Sequence, residues 1–228
     1  MSARLGLLHT VPALAATFDD LLRRTGHDGP IVHVVDGGLL KAAIDSGVDD
    51  AVRAEVLSHI RHLADDGADA ILVTCSSIGE AVDAAAARVD VPVLRVDAPM
   101  AEEAVALAVA RAAGGRPARI AVLATLEATL GPTGRLLESS VAAAARSVDV
   151  AARVVGGAAA ARSAGDQATH DRLVADAITE AAASADVVVL AQASMASAAA
   201  ELDLDVPVLT SPEGGAAALV DAIRRMPA

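Results

Sequence analysis

The stretch Ala68-Asp69-Ala70-Ile71-Leu72-Val73-Thr74-Cys75 returns later in the chain as Ala185-Asp186-Val187-Val188-Val189-Leu190-Ala191-Gln192, displaced by 117 residues. Each copy is a short aliphatic run that opens behind an Asp and closes on a small or polar residue. Runs of this length, rich in β-branched residues, read as buried strands. Two further blocks repeat in the same order. Arg4-Leu5-Gly6-Leu7-Leu8-His9-Thr10 is echoed by Arg119-Ile120-Ala121-Val122-Leu123-Ala124-Thr125, and Asp90-Val91-Pro92-Val93-Leu94 by Asp205-Val206-Pro207-Val208-Leu209, both at a displacement of 115. Parallel strands resemble one another, which weakens any single block. Three blocks in constant order and at nearly constant spacing point to an internal duplication.

Working outward, the pattern predicts strands near 4–9, 31–35, 69–75, 92–96, 119–124, 150–155, 186–191 and 206–209. Helices are expected near 12–24, 49–65, 77–88, 99–113, 130–146, 167–184, 194–202 and 213–225. Strands alternating with Ala-rich helical segments define an α/β fold with parallel sheets. The expected architecture is two pseudo-symmetric lobes, each a central parallel sheet flanked by helices, with an active-site cleft between them. The first lobe takes residues 1–97 and 210–228, the second 98–209. Gly114-Gly115-Arg116-Pro117 reads as a turn between a helix and a strand, and Asp36-Gly37-Gly38 as another turn.

Composition excludes several classes of function. The formal charge of −12 leaves no basic face for a phosphate backbone, so no nucleic-acid partner is expected. With no Trp or Tyr and only Phe18, there is little to stack on a nucleobase or a flavin. The one lysine, Lys41, is a poor candidate for a Schiff base. Apolar runs are far shorter than a membrane span, and the N-terminal MSARLGLLHTVPAL lacks the regions of a signal peptide. The expectation is a cytoplasmic protein with no membrane contact. One cysteine permits neither an internal disulfide nor a Cys-rich zinc site.

In parallel α/β sheets, functional groups gather where strands end and helices begin. That rule selects His9-Thr10, Cys75-Ser76-Ser77, Thr125 with Glu127 and Thr129, and Gln192-Ala193-Ser194. The repeat makes Cys75 and Gln192 pseudo-symmetry mates, expected to face each other. Free N–H groups and the helix dipole at the Cys75 turn are expected to favour a thiolate, and Ser76 and Ser77 add donors for a carboxylate. A buried, inert cysteine fits the same local sequence, but the duplication and the hydroxyl cluster favour a reactive one. Of the remaining groups, His59 and His62 read as a solvated helix face rather than a metal site. Asp166 and Thr169 read as helix-start residues, and Asp69 and Asp186 as acceptors for local backbone donors. Glu127 reads as an exposed loop carboxylate, and Glu213-Gly214-Gly215 either borders the pocket or makes a turn. Gly156-Gly157 lacks the spacing of a dinucleotide fingerprint.

These residues resemble the aspartate/glutamate/hydantoin racemase superfamily, whose relatives include maleate cis-trans isomerase and arylmalonate decarboxylase. The likeness covers almost the whole chain: two pseudo-symmetric lobes, a Cys before small polar residues, a matching strand end in the second lobe, and the segments Thr10–Leu14 and Val122–Thr125. It implies a small carboxylate or carbonyl substrate, no cofactor, no metal and a homo-oligomer. Racemases of this group use one cysteine on each side of the substrate carbon. Here Val189-Leu190-Ala191-Gln192-Ala193-Ser194-Met195 puts Gln192 where the second thiol is expected. An amide neither takes nor returns a proton near neutral pH, so two-thiol racemisation is not expected.

The resemblance therefore implies an isomerase of the racemase group with Cys75 as its single reactive thiol. Thr10, Ser76, Ser77, Thr125, Gln192 and Ser194 would bind substrate, and His9 is a possible second base or a capping residue. Three chemistries stay open: covalent addition of Cys75 to an electron-poor double bond, lone acid/base work in a decarboxylase or lyase, and pairing of Cys75 with His9. A non-catalytic carboxylate-binding protein is the alternative from a different class.

Overall fold

In a computed structural model, which describes residues 3–113, 115–144, 146–200 and 202–226, the chain divides into two compact units. One runs through Pro99 and resumes at Pro212; the other is Met100–Ser211. The first carries β1 (Leu5–His9), α1 (Ala13–Arg24), β2 (Ile31–Val35), α2 (Gly37–Ser46), α3 (Asp50–Asp65), β3 (Ala70–Val73), α4 (Gly79–Ala86) and β4 (Val93–Arg95). The helix after β4, α5 (Ala98–Arg111), leads into the second unit. There follow β5 (Ala118–Ala124), α6 (Glu127–Ala144), β6 (Val148–Val154), α7 (Ala158–Ser163), α8 (Gln167–Ala182), β7 (Val187–Leu190), α9 (Ala196–Ala199) and β8 (Val208–Thr210). The last helix, α10 (Ser211–Arg224), returns to the first unit.

Each unit holds one four-stranded, fully parallel sheet, in the orders β2-β1-β3-β4 and β6-β5-β7-β8. All eight expected strands are present, with ends shifted by at most two residues. The duplication is visible in the registers: Leu7 pairs with Leu72 as Val122 pairs with Val189. The aspartates before the third strands act alike. Asp69 accepts the Arg4 N–H at 2.7 Å and Asp186 accepts the Arg119 N–H at 2.9 Å, each pinning the edge of a central strand. Asp186 also pairs with Arg116 at 2.5 Å, which holds its carboxyl below the usual range.

Both faces of each sheet are covered, which is why the central strands read as continuous apolar runs. In the first unit Leu8, Ile71 and Val73 pack with α2, α3 and α4, while Leu5, Leu7, Ala70 and Leu72 pack with α1 and α10. Full burial of each Leu or Ile side chain stabilises by about 1.5–3 kcal/mol. Gly6 is required by a close approach, since a Cβ there would lie 3.1 Å from Ala68 Cβ and 3.2 Å from Leu63 Cβ.

Several expectations change. Asp36-Gly37-Gly38 is the start of α2 rather than a free turn: Asp36 is the N-cap and accepts the Gly38 N–H. The helices α2 and α7 were not expected; both are short, and Gly at their starts reads as a turn signal. Gly214 and Gly215 lie inside α10, where Gly215 lets the helix approach Val96. Glu127 is the exposed first residue of α6, not a loop residue. The expected helix at 194–202 shrinks to one tight turn, Ala193–Met195, followed by α9. Gly114, Ala145 and Glu201, which fall in an expected turn and two expected helices, lie outside the described residues. Among the described residues no helix is long and apolar enough to cross a membrane.

Leu72 has no exposure and sits between β1, β4 and two helices. Leu72→Ala is expected to lower unfolding stability by about 2–5 kcal/mol, read as a lower urea midpoint.

Candidate active site

In the first unit, β3 ends at Val73, and Thr74 and Cys75 continue beyond it in extended conformation before one tight helical turn, Ser76–Ile78, and α4. Small residues allow this abrupt change of direction at the carboxyl end of the sheet. The turn folds back on the sulfur. The backbone N–H groups of Ser77 and Ile78 and the hydroxyls of Ser77 and Thr10 hydrogen-bond to Cys75. Thr10 comes from the end of β1; Thr10, Ser76 and Ser77 are all buried.

The resting state of the thiol differs from the expectation. Burial pushes Cys75 up, and the four hydrogen bonds only partly offset it. The residue keeps some exposed surface, so its enclosure is incomplete, and it packs against the apolar core formed by one face of the first sheet with α2, α3 and α4. At neutral pH Cys75 is therefore a protonated thiol with donors already aimed at a sulfur anion. It is a resting acid rather than a standing nucleophile.

His9 is placed differently from a working base. It is fully buried, and its Nδ1 lies 2.8 Å from Thr74 Oγ1 and its Nε2 2.9 Å from His33 Nδ1. The Thr74 hydroxyl donates to Leu8 O at 3.3 Å, leaving its lone pairs to accept from His9 Nδ1–H and making His9 Nε2 the acceptor for His33. Burial and the neighbouring His33 lower the His9 pKa to about 4. A ring held neutral and fully bonded in this way is a positioning group, not a base matched to neutral pH.

In the second unit the same construction holds an amide. Gln192 continues beyond β7 in extended conformation and precedes the Ala193–Met195 turn, as Cys75 does in the first unit. Thr125, the mate of Thr10, donates its backbone N–H at 2.5 Å and its hydroxyl at 2.9 Å to Gln192 Oε1. A backbone N–H can only donate, so the oxygen assignment is fixed, and Gln192 has its Nε2 donors to offer a ligand. The Arg162 guanidinium donates to Ser194 O at 3.4 Å, bracing the turn from α7.

The chain matches the family model for Asp/Glu/hydantoin racemases over residues 9–219. It belongs to that family, a family of isomerases. This racemase-family protein also shares its fold with several solved structures. It covers 97% of its own length and 82% of glutamate racemase RacE1 from Bacillus anthracis, at 19% identity and a TM-score of 0.75. An aspartate racemase homologue from Pyrococcus horikoshii matches over 99% of this chain and 100% of that one, at 14% identity and a TM-score of 0.68. Allantoin racemase from Klebsiella pneumoniae matches over 98% and 88%, at 20% identity and a TM-score of 0.66. A comparison with curated protein sequences returned no match.

Other candidates resolve into local structure. His59 is not simply solvated: its Nε2 lies 2.9 Å from Asp36 Oδ2 and 3.5 Å from Glu55 Oε1, tying α3 to the α2 cap. These three residues present ligand atoms within 4.8 Å of one another, a grouping that the His59–Asp36 hydrogen bond and the His59–Glu55 ion pair explain. His62 is exposed, and Asp166 caps α8 by accepting the Thr169 N–H. Sequence reading missed Arg95 and Asp97, a buried ion pair at the end of β4 with Nη2–Oδ2 at 2.9 Å and Nε–Oδ1 at 3.0 Å. The signal was available: two opposite charges, two apart, just after an apolar strand.

The His9 geometry predicts a pH dependence. An unfolded histidine takes its proton near pH 6.5, whereas folded His9 waits until about 4. The unfolded chain binds more protons in that window, so stability is full above it and falls as pH drops through it. The loss for a fully enclosed ring is on the order of 3 kcal/mol, with His33 shifted in the same direction. The lowered Asp36 and Asp186 act only below about 3.8. Urea midpoints measured from pH 7 to 4.5 should slope steeply in the wild type and flatten in His9→Gln.

Proposed function

We propose that the protein is a cofactor-independent isomerase acting beside a carboxylate or related carbonyl of a small molecule, with Cys75 as its single reactive group. The observation that carries this reading is the Cys75 thiol itself, the only thiol in the sequence, ringed by donors from Thr10, Ser77 and Ile78. A one-thiol chain lacks the second sulfur that two-cysteine proton exchange needs. What one thiol can complete is addition, rotation and elimination. Once its proton has passed to water, to be taken back when the thiolate is expelled, Cys75 adds to an electron-poor double bond, forming a C–S bond and moving the π electron pair onto the adjacent carboxylate system. Rotation about the resulting single bond and expulsion of the thiolate regenerate the double bond in the other geometry. No electrons are gained or lost overall.

In this reading Thr10, Ser76 and Ser77 hold the substrate anion beside the thiol, and Thr125, Gln192 and Ser194 are substrate-binding residues of the second unit. Gln192 contributes N–H donors, consistent with an anionic ligand group, because Thr125 occupies its oxygen. The protonated resting state favours one second reading: Cys75 as proton donor to an enolate formed by decarboxylation or another bond cleavage.

Incubation in D2O with maleate, substituted malonates, 5-substituted hydantoins and amino acids, followed by NMR, separates these chemistries. Isomerisation of maleate without carbon loss supports the leading reading; a deuterated, decarboxylated product from a malonate supports the second. Either activity should fall about 10²–10⁴-fold in Cys75→Ala. Binding without turnover, unchanged in Cys75→Ala, would identify a carboxylate-binding protein instead. Gln192→Glu replaces donors with a charge of the wrong sign and should raise KM for a carboxylate substrate at least about tenfold, the scale of one charged hydrogen bond.

A further inference from the structure

Arg95 and Asp97 have no part in the chemistry above, yet they are buried beside it. The Arg95 side chain is 7% exposed and that of Asp97 1%. The guanidinium makes two parallel bonds to Asp97, and its third arm reaches the exposed Asp83 of α4 at 2.8 Å. Burying such a pair is unfavourable unless its geometry is good and its hydrogen bonds are satisfied, so its position calls for a reason.

The reason lies in what the guanidinium touches. It rests on Gly79, where an added Cβ would fall under 3.0 Å from its Cζ, Nη2 and Nε. Gly79 is the first residue of α4 and directly follows the Ser76–Ile78 turn whose N–H groups hold the Cys75 sulfur. The strand register agrees. Val73 pairs with Arg95 and the Val96 N–H bonds to Val73 O, so the ion pair sits at the carboxyl end of β4 beside the end of β3. Arg95 is thus tied to Asp97 on one side, to Asp83 of α4 on the other, and lies on the glycine between them and the turn.

We propose that the Arg95–Asp97 pair, seated on Gly79, is a positioning device that holds the Ser76–Ile78 turn closed on the Cys75 thiol. It acts through the turn. What sets the thiol's titration is burial and hydrogen bonds from Thr10, Ser77 and Ile78, with neither Arg95 nor Asp97 among the causes. Release of the turn lets water reach the sulfur, removing the largest of those causes. The catalytic meaning of the device rests on Cys75 being the reacting group; its physical effect on the thiol does not.

Cys75 is the only cysteine, so alkylation by iodoacetamide reports on this sulfur alone in the intact chain. Rates measured from pH 6 to 10 trace the onset of the thiolate, whose midpoint in the wild type burial holds above the ordinary thiol value, and over this range His9, with its pKa near 4, stays neutral. Two variants break the brace in independent ways. Gly79→Ala expels the guanidinium, and the paired change Arg95→Met with Asp97→Leu removes both charges without orphaning either. In each, the midpoint should fall toward that of an ordinary thiol, the thiolate fraction at pH 7.5 rising about tenfold for each unit of fall and the alkylation rate about threefold, since the less basic thiolate is also less nucleophilic. Arg95→Lys keeps the charge without the fork and should lie between. Circular dichroism confirms that each variant is folded. A midpoint that is unchanged or raised in both folded variants overturns the proposal. A lowered midpoint in a protein that turns over none of the test substrates upholds the brace and counts only against the enzymatic reading.

Discussion

An all-parallel sheet has no face to give to water. Helices cover β1 and β3 on both sides, and β5 and β7 likewise, so the side chains along these strands are apolar or small apart from His9, buried at the end of β1, and Arg119, exposed near the start of β5. Polar chemistry is confined to the carboxyl ends, where the chain leaves the sheet and backbone N–H groups at the next helix start are not yet paired. Thr10, Thr74, Cys75, Ser76 and Ser77 occupy that position in the first unit, and Thr125, Gln192 and Ser194 occupy it in the second. The two clusters follow from the same covering of the sheets.

The two units keep one frame and hold different residues in it. In each unit a threonine at the end of the first strand reaches the residue just beyond the third: Thr10 to Cys75 and Thr125 to Gln192. In each, that residue is extended and precedes a single tight turn. The second copy thus uses its threonine to fix an amide whose outward groups are donors. The first directs it at the Cys75 sulfur. Divergence also extends behind the site: Arg95 and Asp97 have Thr210 and Pro212 as their mates at a displacement of 115, so the second unit has no equivalent of this ion pair.

Most of the fold was legible because burial on both sheet faces leaves an unmistakable trace, the aliphatic runs at 70–73 and 187–190 and their repeat. The strand ends were legible by the same logic, and they located Thr10, Cys75 and Gln192. The short helices α2 and α7 were not, since Gly at a helix start and Gly in a turn look alike; Asp36 accepting the Gly38 N–H marks the start of α2, while α7 follows Gly157 with no side-chain cap. Protonation was misread for a related reason. A helix start argues for a thiolate and a strand-end histidine for a base, but both arguments omit desolvation. Phe18, the one aromatic side chain, lies with its ring 5.9 Å from that of His9, a proximity that the spacing of 9 and 18 in sequence does not announce.

Desolvation and donation oppose each other at Cys75, and their balance constrains the chemistry. Donors alone would give a standing thiolate, reactive toward any electrophile. Burial alone would give an inert core cysteine. Together they keep the proton on sulfur at rest while the N–H groups of Ser77 and Ile78 and the hydroxyls of Thr10 and Ser77 await the anion. Stabilisation so arranged is greatest after the proton has left, which is where preorganised donors lower a barrier rather than deepen a ground state. On the proposed reading, in which Cys75 reacts without a second thiol, the anion must form, react and recover its proton within one setting, the turn between β3 and α4.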